Sequence, residues 1–195
     1  KISSNQTVTP QARQLAIEVI QKLFPHWGEH LASEGFHLSV VAGNRISFVT
    51  KNADTFRTIG IEPSLNVWLQ KAVDHWMKRQ LRLNGLRLRD QEYSSDLIVR
   101  ESGMLLGVAT VDMKAASDSI SLEVVRWLLP PEWFALLDTL RSKYYTLDKG
   151  GTWHRYHKFS SMGNATTFPL ESLIFEAVAW SCCRICGADV SRIRA

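Results

Sequence analysis

One stretch constrains this chain more than any other. From Ser64 onward, Leu65, Trp68, Leu69, Ala72, Trp76 and Leu83 recur at helical spacing until Asn84-Gly85. The pattern predicts a long amphipathic helix, capped by Ser64 and ended by glycine, whose apolar face, Trp68 and Trp76 included, lies in the core. Such a helix needs other elements to cover its stripe. Upstream, residues 36–41, 46–50 and 58–61 read as short strands. Gly43-Asn44 is a hairpin signal between the first two, and Pro63 halts the third. Residues 1–8 are polar and expected to be irregular. Thr9-Pro10 opens a helix that carries Leu15, Val19 and Leu23 as far as Pro25.

Downstream, 90–101 reads as a helix and 105–111 as a buried strand with Asp112 at its C-terminal end. A helix over 118–129 is stopped by Pro130-Pro131, with Ser117-Asp118-Ser119 as its cap. Further helices are predicted over 132–144 and 170–186, and a strand over 153–159. Strands and helices without regular βαβ alternation give an α+β class. With 195 residues, 45% hydrophobic and 22% charged, the chain can bury a core and is not of the disordered type. No run approaches the roughly 18 apolar residues of a membrane span. The net charge of +4 is compatible with a polyanionic partner without demanding one. Cys182, Cys183 and Cys186 crowd one predicted helix, which fits reduced thiols and not a disulfide framework. The chain starts without methionine and lacks a signal-peptide core. It is expected to begin and end inside a longer reading frame.

Three blocks carry chemistry. Thr110-Val-Asp-Met-Lys-Ala-Ala-Ser-Asp-Ser-Ile-Ser121 sets Asp112 at a strand end, where a carboxylate is open to ligands. Ser160-Ser-Met-Gly-Asn164 is a small-residue loop entering a helix, where backbone approaches a ligand closely. Lys51-Asn-Ala-Asp-Thr-Phe-Arg57 is a basic segment suited to phosphate. Taken singly, each has a plainer reading: a turn carboxylate, a helix-entry loop, a solvated hairpin. His154 and His157, three apart on a predicted strand, face opposite sides and do not share a metal. Arg79, Arg82, Arg87 and Arg89 read as a solvated face.

The first two blocks, in this order and roughly fifty residues apart, resemble motifs A and B of the replicases of single-stranded RNA bacteriophages, the Qβ type, and the basic segment upstream of them resembles motif F. The resemblance implies part of a right-hand polymerase: an N-terminal helical segment over 1–35, a fingers-like segment over 36–104 and a partial palm over 105–195. It implies an RNA-dependent RNA polymerase acting by a two-metal mechanism. Asp112 is then the catalytic metal ligand for two Mg²⁺ ions, with the Met113 carbonyl as a further oxygen. Lys51 and Arg57 hold the triphosphate. Asp118 faces the ribose, and Ser161, Gly163 and Asn164 touch template and incoming nucleotide. The implied partners are RNA template, nascent RNA and nucleoside triphosphates, with host elongation factors Tu and Ts and a small-subunit ribosomal protein, in the cytoplasm of an infected bacterium. Departures from the family pattern are Met113-Lys114-Ala115, Ala165 and Pro169. No Gly-Asp-Asp occurs in the 195 residues, so the remaining metal ligands are expected beyond them and the piece alone is expected to be inactive. The alternative is a non-catalytic RNA-binding module derived from a replicase.

Overall fold

The computed structural model describes residues 5–33, 37–86, 88, 113–148 and 150–189. The described residues form seven helices and six strands in two small sheets, a mixed helix-and-strand fold. The chain divides into two compact units, each built from two stretches: 1–72 with 117–167, and 73–116 with 168–195. The expected helix over 90–101 and strand over 105–111, with Asp112, lie outside the described residues.

In the first unit, β1 (Asn5–Val8) pairs in parallel with β2 (His37–Val40), from Asn5↔His37 to Val8↔Val40. The N-terminal residues are therefore not irregular. Their partner lies some thirty residues on, and the local polar composition of Asn5-Gln6-Thr7 hides it. Val8 and Thr9 are fully buried. Thr9 N–H donates to Asn66 Oδ1 (2.9 Å), and Asn66 Nδ2 donates to Thr9 Oγ1 (2.8 Å). The Thr9 side chain is thus engaged by Asn66 and does not cap α1 (Pro10–Leu23), although Pro10 takes the first helical position as expected. Ala12, Ala16 and Ile20 form the buried face of α1. α2 (Pro25–Ser33), which the sequence pattern missed, follows directly. Phe24 and Trp27 meet Trp68 with ring centroids 5.8 and 5.6 Å away.

The Gly43-Asn44 hairpin does not form. β3 (Asn44–Thr50) instead belongs to a four-stranded sheet ordered β4-β3-β5-β6, where β4 is Phe56–Ile61, β5 Tyr144–Thr146 and β6 His154–Arg155. Gly43 serves close approach instead of a turn, since a Cβ there would run into the Tyr144 carbonyl. The true hairpin is β3–β4, in register from Arg45↔Ile61 to Thr50↔Phe56. Its turn is closed by Asn52 Oδ1, which accepts from the Thr55 N–H at 2.8 Å and the Asp54 N–H at 3.3 Å.

α3 (Ser64–Leu83) is the long helix expected. Leu65 and Leu69 are buried in the first unit. The predicted single helix over 118–129 is two, α4 (Ala116–Ser119) and α5 (Leu122–Leu128). Buried Ile120 breaks it, because Ser121 turns extended to bridge Lys158. The cap is accordingly Ser121, whose Oγ accepts from the Val124 N–H at 3.2 Å, not Ser117-Asp118-Ser119. α6 (Pro131–Leu140) ends four residues before the expected Tyr144, because the chain goes extended at Arg141 to enter β5. The strand predicted over 153–159 is only β6 plus that bridge.

In the second unit, α3 continues with buried Met77 and Leu81. It ends in the expected glycine, Gly85 at φ +96°, with Leu86 N–H donating to Leu81 O (2.9 Å). Trp76 and Leu83, assigned to the apolar face, are 45% and 63% exposed. α7 (Thr167–Ile185) buries Leu170 and Ile174, and carries Cys182, Cys183 and Cys186 at and just beyond its end. Among the described residues no helix is long and apolar enough to cross a membrane.

Candidate functional site

Antiparallel pairing places Ile46 opposite Gly60 and Phe48 opposite Thr58, so these four share one face of the sheet. That face floors an open cleft of about 780 Å³ within the first unit. Lys51 and Arg57 line it from the hairpin, and Arg155 and Lys158 from β6 and the segment after it. Asp118 and Ser119 of α4 and Ser161 and Met162 of the following loop complete the wall. Four cations thus face one carboxylate. Phe48 and Phe56 are 63% and 70% exposed. Flat aromatic faces beside cations are what nucleotides and single strands use.

Beneath the cleft lies a buried carboxyl, Glu62, held from four directions. Its Oε1 accepts from Asn44 Nδ2 (2.7 Å) and Ser161 Oγ (3.5 Å), and its Oε2 from Ser142 Oγ (2.7 Å) and Gln70 Nε2 (3.2 Å). Burial raises its pKa, and the four donors only partly offset that. Asn44 Nδ2 also donates to Ser161 Oγ (2.9 Å), and Asn44 Oδ1 accepts from Tyr156 Oη (2.9 Å). Burial raises the Tyr156 phenol as well, against hydrogen bonds to Ser161 and Asn44. One carboxyl therefore ties together the base of the basic hairpin, α3, the approach to β5 and the 160–164 loop.

The loop itself is seated on the hairpin by backbone. Gly60 N–H donates to Met162 O at 2.6 Å. A Cβ on Gly60 would lie 2.5 Å from both Asn44 Nδ2 and Ser161 Oγ. Gly163, at φ +118°, sits where a Cβ would strike the Gly60 carbonyl. Asn164 is 5% exposed, and its Oδ1 accepts from Thr166 N–H (2.9 Å) and Oγ1 (2.8 Å). The side chain closes a local turn just ahead of α7. The segment leading into the loop is anchored by Arg141, which is 4% exposed. Arg141 Nη1 donates to Phe159 O (3.1 Å), and its Nε donates to Asp138 Oδ1 (2.7 Å). Burial lifts the Asp138 carboxyl, but hydrogen bonds from Lys143 and Arg141 outweigh it and hold the pKa below its ordinary value.

Of the residues singled out from sequence, Lys51, Arg57, Asp118 and Ser161 come together around one cleft. Gly163 shapes the loop behind it, and the side chain of Asn164 is spent on the turn before α7. Asp112 lies outside the described residues. Met113 is half-exposed and belongs to the second unit. Arg155, Lys158, Tyr156 and Glu62 were not anticipated. The run Arg155-Tyr-His-Lys158 directly before the loop was the available signal for the first three. Glu62, between the strand expected over 58–61 and Pro63, carried no such signal. Among the described residues no three His, Cys, Asp or Glu side chains gather as a metal site.

A family model described as "RNA replicase, beta-chain" matches residues 1–194. The chain is similar to the RNA-directed RNA polymerase subunit beta of Enterobacteria phage SP, with 44% identity over 154 residues, 79% of this chain and 26% of that protein. It is similar to the RNA-directed RNA polymerase beta chain of Escherichia phage MS2, with 39% identity over 181 residues, 91% of this chain and 32% of that one. To the corresponding subunit of Escherichia virus Qbeta it is 43% identical over 150 residues, 77% of this chain and 25% of that one. The chain thus spans a quarter to a third of these relatives. With all but its last residue matched, it belongs to the RNA replicase beta-chain family.

Proposed function

We propose that this chain is part of an RNA-directed RNA polymerase that copies viral RNA, and that its first unit supplies the cleft in which the triphosphate meets the template. The observation that carries the reading is the cleft lined by Lys51, Arg57, Arg155 and Lys158 in a chain of this family. The reaction is attack of the RNA 3′-oxygen on the α-phosphorus of a nucleoside triphosphate. The bond to the bridging oxygen breaks, pyrophosphate leaves, and the hydroxyl proton passes to solvent. Lys51 and Arg57 hold the phosphates and offset charge developing on pyrophosphate, with arginine's fork spanning two oxygens. Asp118 faces the ribose. Ser161 and the tight backbone at Gly163 and Asn164 form the seat for the nucleotide pair. In this reading 36–104 belongs to the fingers and 105–195 to the palm of a right hand.

Two Mg²⁺ ions belong to this proposal through Asp112, with Met113 O beside it and further carboxylates expected beyond residue 195. When bound they activate the attacking oxygen and neutralise phosphate charge. The described part of the cleft suits an anion and not a divalent cation, because its one carboxylate, Asp118, is already paired with Lys158. RNA, nucleoside triphosphates, elongation factors Tu and Ts and a small-subunit ribosomal protein are the proposed partners, in the infected bacterial cell.

Primer extension by the full-length chain with its host factors tests the reading. Arg57→Ala is expected to raise KM for nucleoside triphosphate about tenfold or more, as loss of a charge-assisted phosphate contact does. Asp112→Asn is expected to abolish turnover. Salt-sensitive RNA binding without any turnover would instead identify a non-catalytic RNA-binding module.

A further inference from the structure

We propose that Lys158 is a positioning residue for sugar selection: by holding Asp118 it presents that carboxylate to the ribose 2′-hydroxyl, and so favours ribonucleotides over deoxyribonucleotides. This rests on the polymerase reading above, and on Asp118 facing the sugar. Lys158 and Asp118 are forty residues apart in sequence, yet Lys158 Nζ bonds Asp118 Oδ1 within the cleft. The backbones around them are also joined. Ser121 and Lys158 form an antiparallel bridge, and Phe159 N–H donates to Ile120 O at 2.9 Å. The bridge and the buried side chains of Ser117 and Ile120 fix the backbone on both sides of Asp118. They do not fix its side chain, which is 61% exposed. Only the lysine does that among the described residues.

The electrostatics require such a partner. A lone, mobile carboxylate in a cleft that collects phosphate repels the triphosphate. Paired with Lys158, Asp118 is neutralised locally and its second oxygen stays available as a hydrogen-bond acceptor. A 2′-hydroxyl can donate to that oxygen and a deoxyribose cannot. A site built to receive a hydroxyl rejects the analogue that lacks it. Lys158 itself is 26% exposed, with Nζ 5.9 Å from the Tyr156 ring centroid, and Tyr156 is held by Asn44. The lysine is therefore aimed by the same buried network that seats the loop.

The test is primer extension by the full-length replicase with its host factors, comparing kcat/KM for each ribonucleoside triphosphate and its deoxy counterpart. Lys158→Met is expected to lower the ribo-to-deoxy preference about tenfold, and Lys158→Arg to keep most of it. Asp118→Asn, which breaks the pair from the other side at constant volume, is expected to lower it similarly. The double variant is expected to lose no more than either single one. If Lys158→Met weakens both substrates equally while Asp118→Asn still shifts the ratio, Lys158 is a plain phosphate contact and the proposal is overturned. If Lys158→Met is inactive, Lys158→Arg and Asp118→Asn decide, and an unchanged ratio in Asp118→Asn overturns it. An unchanged ratio in Asp118→Asn with normal turnover also removes the sugar role of Asp118 while leaving the polymerase reading intact. Absence of turnover in the unsubstituted protein sinks that reading itself.

Discussion

Replacing Glu62 by methionine keeps the chain length of the side chain and deletes both oxygens, which makes it the sharpest perturbation of the network beneath the cleft. Three donors lose a close partner: one N–H of Asn44, one N–H of Gln70 and the Ser142 hydroxyl. The Ser161 contact, at 3.5 Å, is too long to weigh heavily. Each orphaned buried donor costs about 1–3 kcal/mol. Removing the carboxyl also relieves its own burial cost, which the raised pKa reveals. Taking about 2 kcal/mol per donor and returning roughly half leaves a net loss near ~3 kcal/mol. The loss falls where the loop is seated on the hairpin, through the Gly60 N–H to Met162 O bond. Amide hydrogen exchange on the full-length chain, read in peptides spanning 56–65 and 158–166, is the assay. At tenfold per 1.4 kcal/mol, exchange there should accelerate roughly a hundredfold, with peptides of α7 changing far less. Acceleration under about threefold would refute the reasoning, since it would mean the three close contacts hold nothing together.

Other outcomes follow from the same geometry. Because burial raises the Glu62 pKa, its contribution to stability is fully present below its ordinary value of 4.5 and is lost as pH rises through the raised value. Protection factors at Gly60 should fall over that interval, and should not in Glu62→Met. Asp138 has the opposite sign. Its lowered pKa gives stability that is present above 3.8 and lost as pH falls through the folded value. Asp138→Asn, which leaves the Arg141 guanidinium without its carboxylate, should cost about 2 kcal/mol at neutral pH, seen as faster exchange around Phe159. Gly163→Ala forces a left-handed backbone on alanine and a clash with the Gly60 carbonyl. Primer extension should fall at least tenfold, and Gly60→Ala should do likewise.

What the sequence made legible was local. Periodicity found the helices α1 and α3 but not all of their buried faces: α1 buries Ala12, Ala16 and Ile20 and leaves Leu23 exposed, and α3 leaves Trp76 and Leu83 exposed. Pro10, Pro63 and Gly85 marked boundaries that backbone geometry enforces wherever they occur. What stayed hidden depends on partners far along the chain. β1 is polar and short, and only pairing with residues 37–40 makes it a strand. Gly43-Asn44 looked like a turn because its true constraint, the Tyr144 backbone, lies a hundred residues away. The helix over 118–129 broke at Ile120 because a backbone bridge to Lys158 outweighed helix propensity there. The candidate site divides in the same way. Lys51, Arg57, Asp118 and Ser161 were visible because each sits in a compact block of the right residue types. Glu62 and Lys158 were not, since a buried hub and a cross-chain ion pair are defined by what surrounds them. These two act differently on the cleft. Glu62 sets where the hairpin and loop stand, so its loss should disturb every substrate. Lys158 sets only where one carboxylate points, so its loss should divide one sugar from another. A variant of Lys158 that behaves like a variant of Glu62 would mean the ion pair is one more strut of the fold. A divided response would mean the cleft separates support from selection.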